Sequence, residues 1–175
     1  MPTAGEPASS PARTSGPAGR TSSASGRTWG YLAGAWCVLF AAVHLFWAAG
    51  GTTGLASSAG TDLAARRPVT FVLFGLWGTA LLCLLGAVFC AGLARWQPSG
   101  GLRRGMTILG LLAGGLLLAR GLLLEIVLLT AAGGIRSSVG PLETHWSLLL
   151  WNPWFAAGGL LLLLLATRQF HRAPA

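Results

Sequence analysis

Between Arg27 and Asp62 the chain carries no charged side chain. Uncharged gaps return between Arg67 and Arg95 and between Glu143 and Arg168, and a fourth apolar run, residues 105–132, is broken only by Arg120 and Glu125. Each run is long enough for a helix to cross a bilayer core, which takes about 17–25 residues at about 1.5 Å per residue. A backbone inside hydrocarbon must satisfy its own N–H and C=O groups, so the runs are read as helices. The predicted spans are 29–49, 69–94, 105–132 and 152–168. The fold class expected is all-α, a transmembrane antiparallel four-helix bundle, because short connections join consecutive spans.

Composition excludes the soluble alternative. The chain is 53% hydrophobic and 9% charged, against about 25% charged in a soluble domain, too few charges to cover a core in water. A long signal-peptide reading of the first run fails because the run is too long, holds Trp36, His44 and Trp47, and follows a long tail. Residues 1–28 are rich in Pro, Ala, Ser, Thr and Gly, without apolar periodicity, and are expected as a disordered cytoplasmic tail. Residues 171–175 form a second short tail. Pro68 stands where the second span starts, and Pro153 where the fourth does, with 144–151 as a lead-in along the interface.

The net charge of +8 comes entirely from arginine. The arginines sit at the ends of apolar runs rather than in a patch, so nucleic acid is not an expected partner. With the N-terminus inside, Arg13, Arg20, Arg27, Arg95, Arg103, Arg104, Arg168 and Arg172 lie on the cytoplasmic side, against Arg66, Arg67 and Arg136 outside. The positive-inside rule therefore places both termini in the cytoplasm of a plasma-membrane protein. Trp29, Tyr31 and Trp96 would mark the inner interface, and Trp47, Trp146, Trp151 and Trp154 an outer rim. Absence of Lys beside abundant Ala, Gly, Leu and Arg points to a bacterial source.

Few strongly polar groups fall inside the spans: His44, Arg120, Glu125 and Asn152. A central Arg costs roughly 2.5–3.5 kcal/mol on insertion scales, so these groups should face the bundle interior. Counted from the inner end, His44 and Arg120 each lie about 22 Å up, Glu125 about 7.5 Å higher, and Asn152 opens the fourth span from the same side. The four converge in the outer half. Arg120 and Glu125 are about 140° apart on one helix, so Arg120 pairs either with Glu125 through its long side chain or with another helix, and His44 is within reach of Glu125 or Asn152. One reading is a buried network that sets helix register. The other is a binding or proton-handling site, with Arg120 meeting an anionic group and Glu125 or His44 carrying a proton.

No phosphate loop, zinc-protease, hydrolase-elbow or dinucleotide motif occurs. Cys37, Cys83 and Cys90 have no metal spacing and are read as small packing residues. His44 is the one His within a span, so no metal and no cofactor are expected. Small residues at four-residue spacing, Gly30 with Gly34 and Gly110 with Gly114, allow close helix packing.

The stretch Ala35-Trp36 through His44-x-x-Trp47-Ala48-x-Gly50-Gly51-Thr52, together with Trp151-Asn152-Pro153-Trp154-Phe155-x-x-Gly158-Gly159, resembles a family of small bacterial four-helix membrane proteins known only as a domain of unknown function. The resemblance covers about residues 29–170 and extends to the Arg120-to-Glu125 stretch. It implies a four-span bundle, no assigned activity and no catalytic residues. The first functional expectation is thus a non-enzymatic membrane component, acting in the lipid bilayer alone, with a membrane-protein partner or as a homo-oligomer. The second is a binding or transport protein with an outward-facing polar site. Third is an enzyme acting on a lipid or quinone, which lacks a visible nucleophile or redox pair.

Overall fold

The computed structural model describes residues 18–96, 100–131 and 134–171. Among these the secondary structure is helical throughout. Helix α1 runs Ala18–Ala48, α2 Leu55–Ala59 and α3 Thr61–Arg66; a wide π-type segment, Phe71–Gly78, leads into α4, Thr79–Arg95. Then come α5, Gly100–Thr130, α6, Ile135–Val139, and α7, Pro141–Trp146; a second π-type segment, Ser147–Trp151, leads into α8, Asn152–His171. Four stretches are long and apolar enough to cross a membrane: Arg27–Ala48, Phe71–Arg95, Gly100–Thr130 and Pro141–Arg168. Helix α1 begins just after Pro17 and runs through the polar end of the expected tail into the first span; residues 1–17 lie outside the described residues.

Small residues set the packing. On α1, a Cβ at Gly30 would meet Ala94, and one at Gly34 would lie 3.7 Å from Cys90, so α1 and α4 run antiparallel. On α5, a Cβ at Gly110 would lie 3.1 Å from Ala166, one at Gly114 3.0 Å from Leu163, and one at Gly121 2.7 Å from Asn152 and Ala156, so α5 and α8 do the same. Aromatic rings join the two pairs: Trp36 stacks on Trp154 at 5.6 Å, Phe40 meets Phe155 edge-on at 5.5 Å, and Trp47 meets Trp151 at 5.8 Å. The helices therefore follow one another in the order α4, α1, α8, α5, with α1 and α8 in the middle. Contact between α4 and α5 is slight, and their close approach is near the chain termini, where Phe89 lies 3.9 Å from a Cβ on Gly110.

The two helix pairs are copies of one unit. Residues 30–60 lie over residues 110–140 without a gap, with identity at Gly30/Gly110, Leu32/Leu112, Ala33/Ala113, Gly34/Gly114, Gly54/Gly134, Ser57/Ser137, Ser58/Ser138 and Gly60/Gly140. The backbone repeats as well. Gly54 (φ 76°) and Gly134 (φ 71°) both open a five-residue helix in the left-handed region, and Gly60 (φ 87°, ψ 151°) and Gly140 (φ 93°, ψ 158°) both close it. Ser57 and Ser137 donate to the carbonyls of Gly54 and Gly134, at 2.7 and 2.6 Å. A π-type segment precedes the second long helix in each copy.

We call the end bearing α2, α3, α6 and α7 the loop end. There the last carbonyls of α1 and α5, the negative pole of each helix, are each held by an arginine from the connection that follows. Arg67 donates to Gly51 O at 3.2 Å and to Trp47 O. Arg136 donates to Leu128 O at 2.6 Å and Leu129 O at 3.2 Å. Across the two copies, the Thr61 N–H donates to Glu143 at 3.1 Å.

Candidate functional site

The site grows out of the tight α5–α8 crossing. Gly121 and Gly159 leave no Cβ between the helices, so the backbones come close enough for Asn152, at the head of α8, to sit against α5. Its side chain is 1% exposed. Arg120 Nη1 donates to Asn152 Oδ1 at 3.2 Å, and Asn152 Nδ2 donates to Glu125 Oε2 at 3.1 Å. A carboxylate only accepts and a guanidinium only donates, so this is the one orientation of the amide that serves both. Asn152 thus bridges an acid and a base that stand on different sides of α5. Among the described residues no direct ion pair joins them; the ion pair present links Arg66 to Asp62, both well exposed.

Arg120 is exposed despite its place in the span. Its guanidinium lies 4.9 Å from the centre of the Phe155 ring, a cation–π contact. Phe155 occupies the strip of α8 between the face turned to α1 (Trp151, Trp154, Gly158) and the face turned to α5 (Asn152, Ala156, Gly159). Arg120 therefore stands on the inward-curving side of the four-helix row, beside the exposed Leu116 and Leu123 of α5.

His44 is buried, at 8% exposure, but it does not join the relay. Its Nδ1 is 2.9 Å from the Phe40 carbonyl, one turn back on its own helix. The Phe40 ring stands 4.4 Å from it and Trp47 5.2 Å. Phe40 and Phe155 together separate the imidazole from Arg120. The expected hydrogen bond from His44 to Glu125 or Asn152 is replaced by this local one, because the i−4 carbonyl is always within reach of a helical side chain while the relay is filled by Asn152. Trp47 also turns inward: it is 2% exposed, packs with Leu55 and Leu76, and donates from Nε1 to Thr53 O at 2.8 Å. Trp151 and Trp154 lie along the α1–α8 seam, each with a buried indole N–H that meets no acceptor among the described residues.

Trp36 is the functional-site neighbour that sequence reasoning passed over. It donates to the Trp154 carbonyl at 3.1 Å and stacks on that residue's ring. A single Trp in an apolar run gives no signal of this role.

The first copy of the unit provides an internal comparison. At the positions of Arg120 and Glu125 it carries Phe40 and Leu45, and where Asn152 follows one π-type segment Thr79 follows the other. Helices α1 and α4 pack by the same small-residue contacts without a charged group between them. Among the described residues, no three His, Cys, Asp or Glu side chains gather as metal ligands. An open groove of about 500 Å³ at the loop end is lined by Arg136, Ser137, Pro141, Thr144, His145 and Leu148. It lies apart from the relay, and Arg136 there is engaged with the end of α5.

A family model described as "Protein of unknown function (DUF3995)" matches residues 37–162, which include His44, Arg120, Glu125 and Asn152. No curated protein and no solved structure matches the chain.

Proposed function

This chain belongs to that family of unknown function, and from that premise we propose that it is a non-enzymatic, multi-pass protein of the bacterial plasma membrane that binds a ligand at the Arg120–Asn152–Glu125 relay. The observation that carries this reading is the contrast between the two copies. If polar glue were needed to fix helix register, α1 and α4 would need it too, yet Phe40, Leu45 and Thr79 serve there. A relay confined to one copy, with Arg120 still exposed, has the character of a site. Intramembrane ionisable groups are costly to keep, and binding is a common reason for keeping them.

The test compares stability with occupancy. Hydrogen bonds between membrane helices contribute about 0.6 kcal/mol on average, so Arg120→Gln and Glu125→Gln are expected to melt in detergent within about 1 kcal/mol of the parent. Native mass spectrometry after gentle extraction should show a bound species on the parent and none on Arg120→Gln. Equal occupancy together with a marked stability loss in both variants would instead establish the relay as a register lock.

Both termini are proposed to face the cytoplasm. The arginine asymmetry supports this, and so does the fate of the three arginines at the loop end. Arg66 is paired with Asp62, and Arg67 and Arg136 are drawn onto helix ends. Little unanswered positive charge is left on the side proposed as external. A membrane-impermeant maleimide should label Ser58→Cys on intact cells and Gly101→Cys only after permeabilisation; the reverse pattern inverts the topology.

A further inference from the structure

We infer that Asn152 couples anion binding at Arg120 to protonation of Glu125, so that the site takes up the anionic headgroup of a membrane amphiphile together with one proton. This rests on the binding reading above and adds the ligand's charge, its route of entry and its linked proton.

Charge balance comes first. Arg120 and Glu125 offset one another across a single amide. An anion added to that pair would leave a net negative charge in a medium of low dielectric constant, which is strongly unfavourable. A proton on Glu125 restores neutrality.

Asn152 supplies the coupling. With Glu125 ionised, Nδ2 donates to it and Oδ1 is left to hold Arg120. A protonated Glu125 keeps an oxygen that can accept from Nδ2, but it no longer carries the charge that offset Arg120. At 1% exposure, Asn152 has no bulk water beside it to screen the two ends from one another. Protonation at one side of α5 therefore leaves the guanidinium at the other without a counter-charge, and its five N–H donors suit an oxyanion.

Other titratable groups near Glu125 are accounted for. On its own helix the nearest is Arg120, on the other side of α5 and reached through Asn152. From α8, Asn152 reaches it, and Arg168 is at the far end of that helix over Trp29. The Ser147–Trp151 segment has none, and Arg136 of α6 is held on the Leu128 and Leu129 carbonyls. His44 lies beyond Phe40 and Phe155.

The route follows from exposure. Arg120 sits about 7.5 Å deeper than Glu125 along α5, and its neighbours Leu116 and Leu123 are 73% and 61% exposed beside it on an apolar helix long enough to span a membrane. An anion reaching it there arrives attached to a hydrocarbon chain, while the proton reaches Glu125 from the loop end.

The full chain in dodecyl maltoside is titrated calorimetrically with decanesulfonate, which is anionic at every working pH. Buffers of differing ionisation enthalpy report the protons taken up. Decanesulfonate should bind with uptake of about one proton, and its affinity should rise as pH falls, by up to about tenfold per unit for one linked proton. Glu125→Gln should bind it with no proton uptake and no pH dependence, and His44→Gln should leave the proton count unchanged. Methanesulfonate and decyltrimethylammonium should not bind. A parent that takes up no proton, or a Glu125→Gln variant as pH-dependent as the parent, overturns the coupling while leaving the site in place. Methanesulfonate binding as well as decanesulfonate overturns the amphiphile, and failure of decanesulfonate to bind the parent overturns the ligand class. Arg120→Gln binding decanesulfonate like the parent removes the site itself.

Discussion

Replacing Gly159 with leucine is expected to abolish the folded second helix pair. A Cβ there would lie 2.5 Å from the Leu118 backbone N, 2.7 Å from the Gly114 carbonyl oxygen and 2.8 Å from the Leu118 Cα. All three are backbone atoms of α5, so no side chain can swing away, and the helices must part. Overpacking typically costs about 1–3 kcal/mol when side chains can yield. Here the cost should exceed about 3 kcal/mol, read as a large fall in melting temperature by circular dichroism in detergent. Separation also withdraws Asn152 from Arg120 and Glu125. Gly86, where α4 packs against α1, is a built-in control. A Cβ at Gly86 would lie 3.2 Å from Cys37 Sγ, a side-chain atom with some freedom. Gly86→Ala should thus be milder than Gly159→Ala, and equal effects of the two would show that the second crossing is looser than described.

The second large effect is expected from Trp36→Ala. Trp36 is 7% exposed, stacks on Trp154, donates to the Trp154 carbonyl and covers Gly158. It is the main tie between the two helix pairs at mid-height. Truncating a buried Trp to Ala costs about 3–5 kcal/mol where the cavity cannot collapse. The lost contacts are between helices, so α1–α4 and α5–α8 should each survive while their junction loosens. Disulfide trapping between cysteines placed on α1 and α8 should fall, and Trp36→Phe, which keeps a ring but loses the indole donor, should be intermediate. A variant that melts like the parent would mean that Phe40–Phe155 and Trp47–Trp151 hold the junction without it.

The spans were legible because apolar length is a coarse, additive signal and a backbone in hydrocarbon has few alternatives to the helix. The members of the relay were legible for the same reason, since Arg120, Glu125 and Asn152 stand out against leucine. Their pairing was not. Whether Arg120 meets Glu125 directly depends on the α5–α8 crossing distance, which Gly121 and Gly159 set from opposite helices. The same holds for His44: depth placed it with the relay, while rotation about α1 placed it against Phe40 and Trp47. The duplication was present in the sequence as Gly-x-Leu-Ala-Gly in both odd spans and as two glycine-bounded short helices. In a chain with 26 glycines, with the apolar residues between them freely exchanged, it becomes plain only when the backbone repeats.

One consequence of the duplicated hairpin concerns how the chain is made. Spans leave the ribosome in order, and the first pair has nothing to wait for: α1 is free of charge from Thr28 onward, and α4 until Arg95. Helix α5 is different. It emerges with Arg120 and Glu125 already in place, while the amide that answers both lies on α8, some 30 residues downstream. The third span is thus expected to wait at the edge of the insertion machinery until the fourth is synthesised, the two entering the lipid as a couple. The same asymmetry that places the relay in the second hairpin is expected to make it the slower half to assemble.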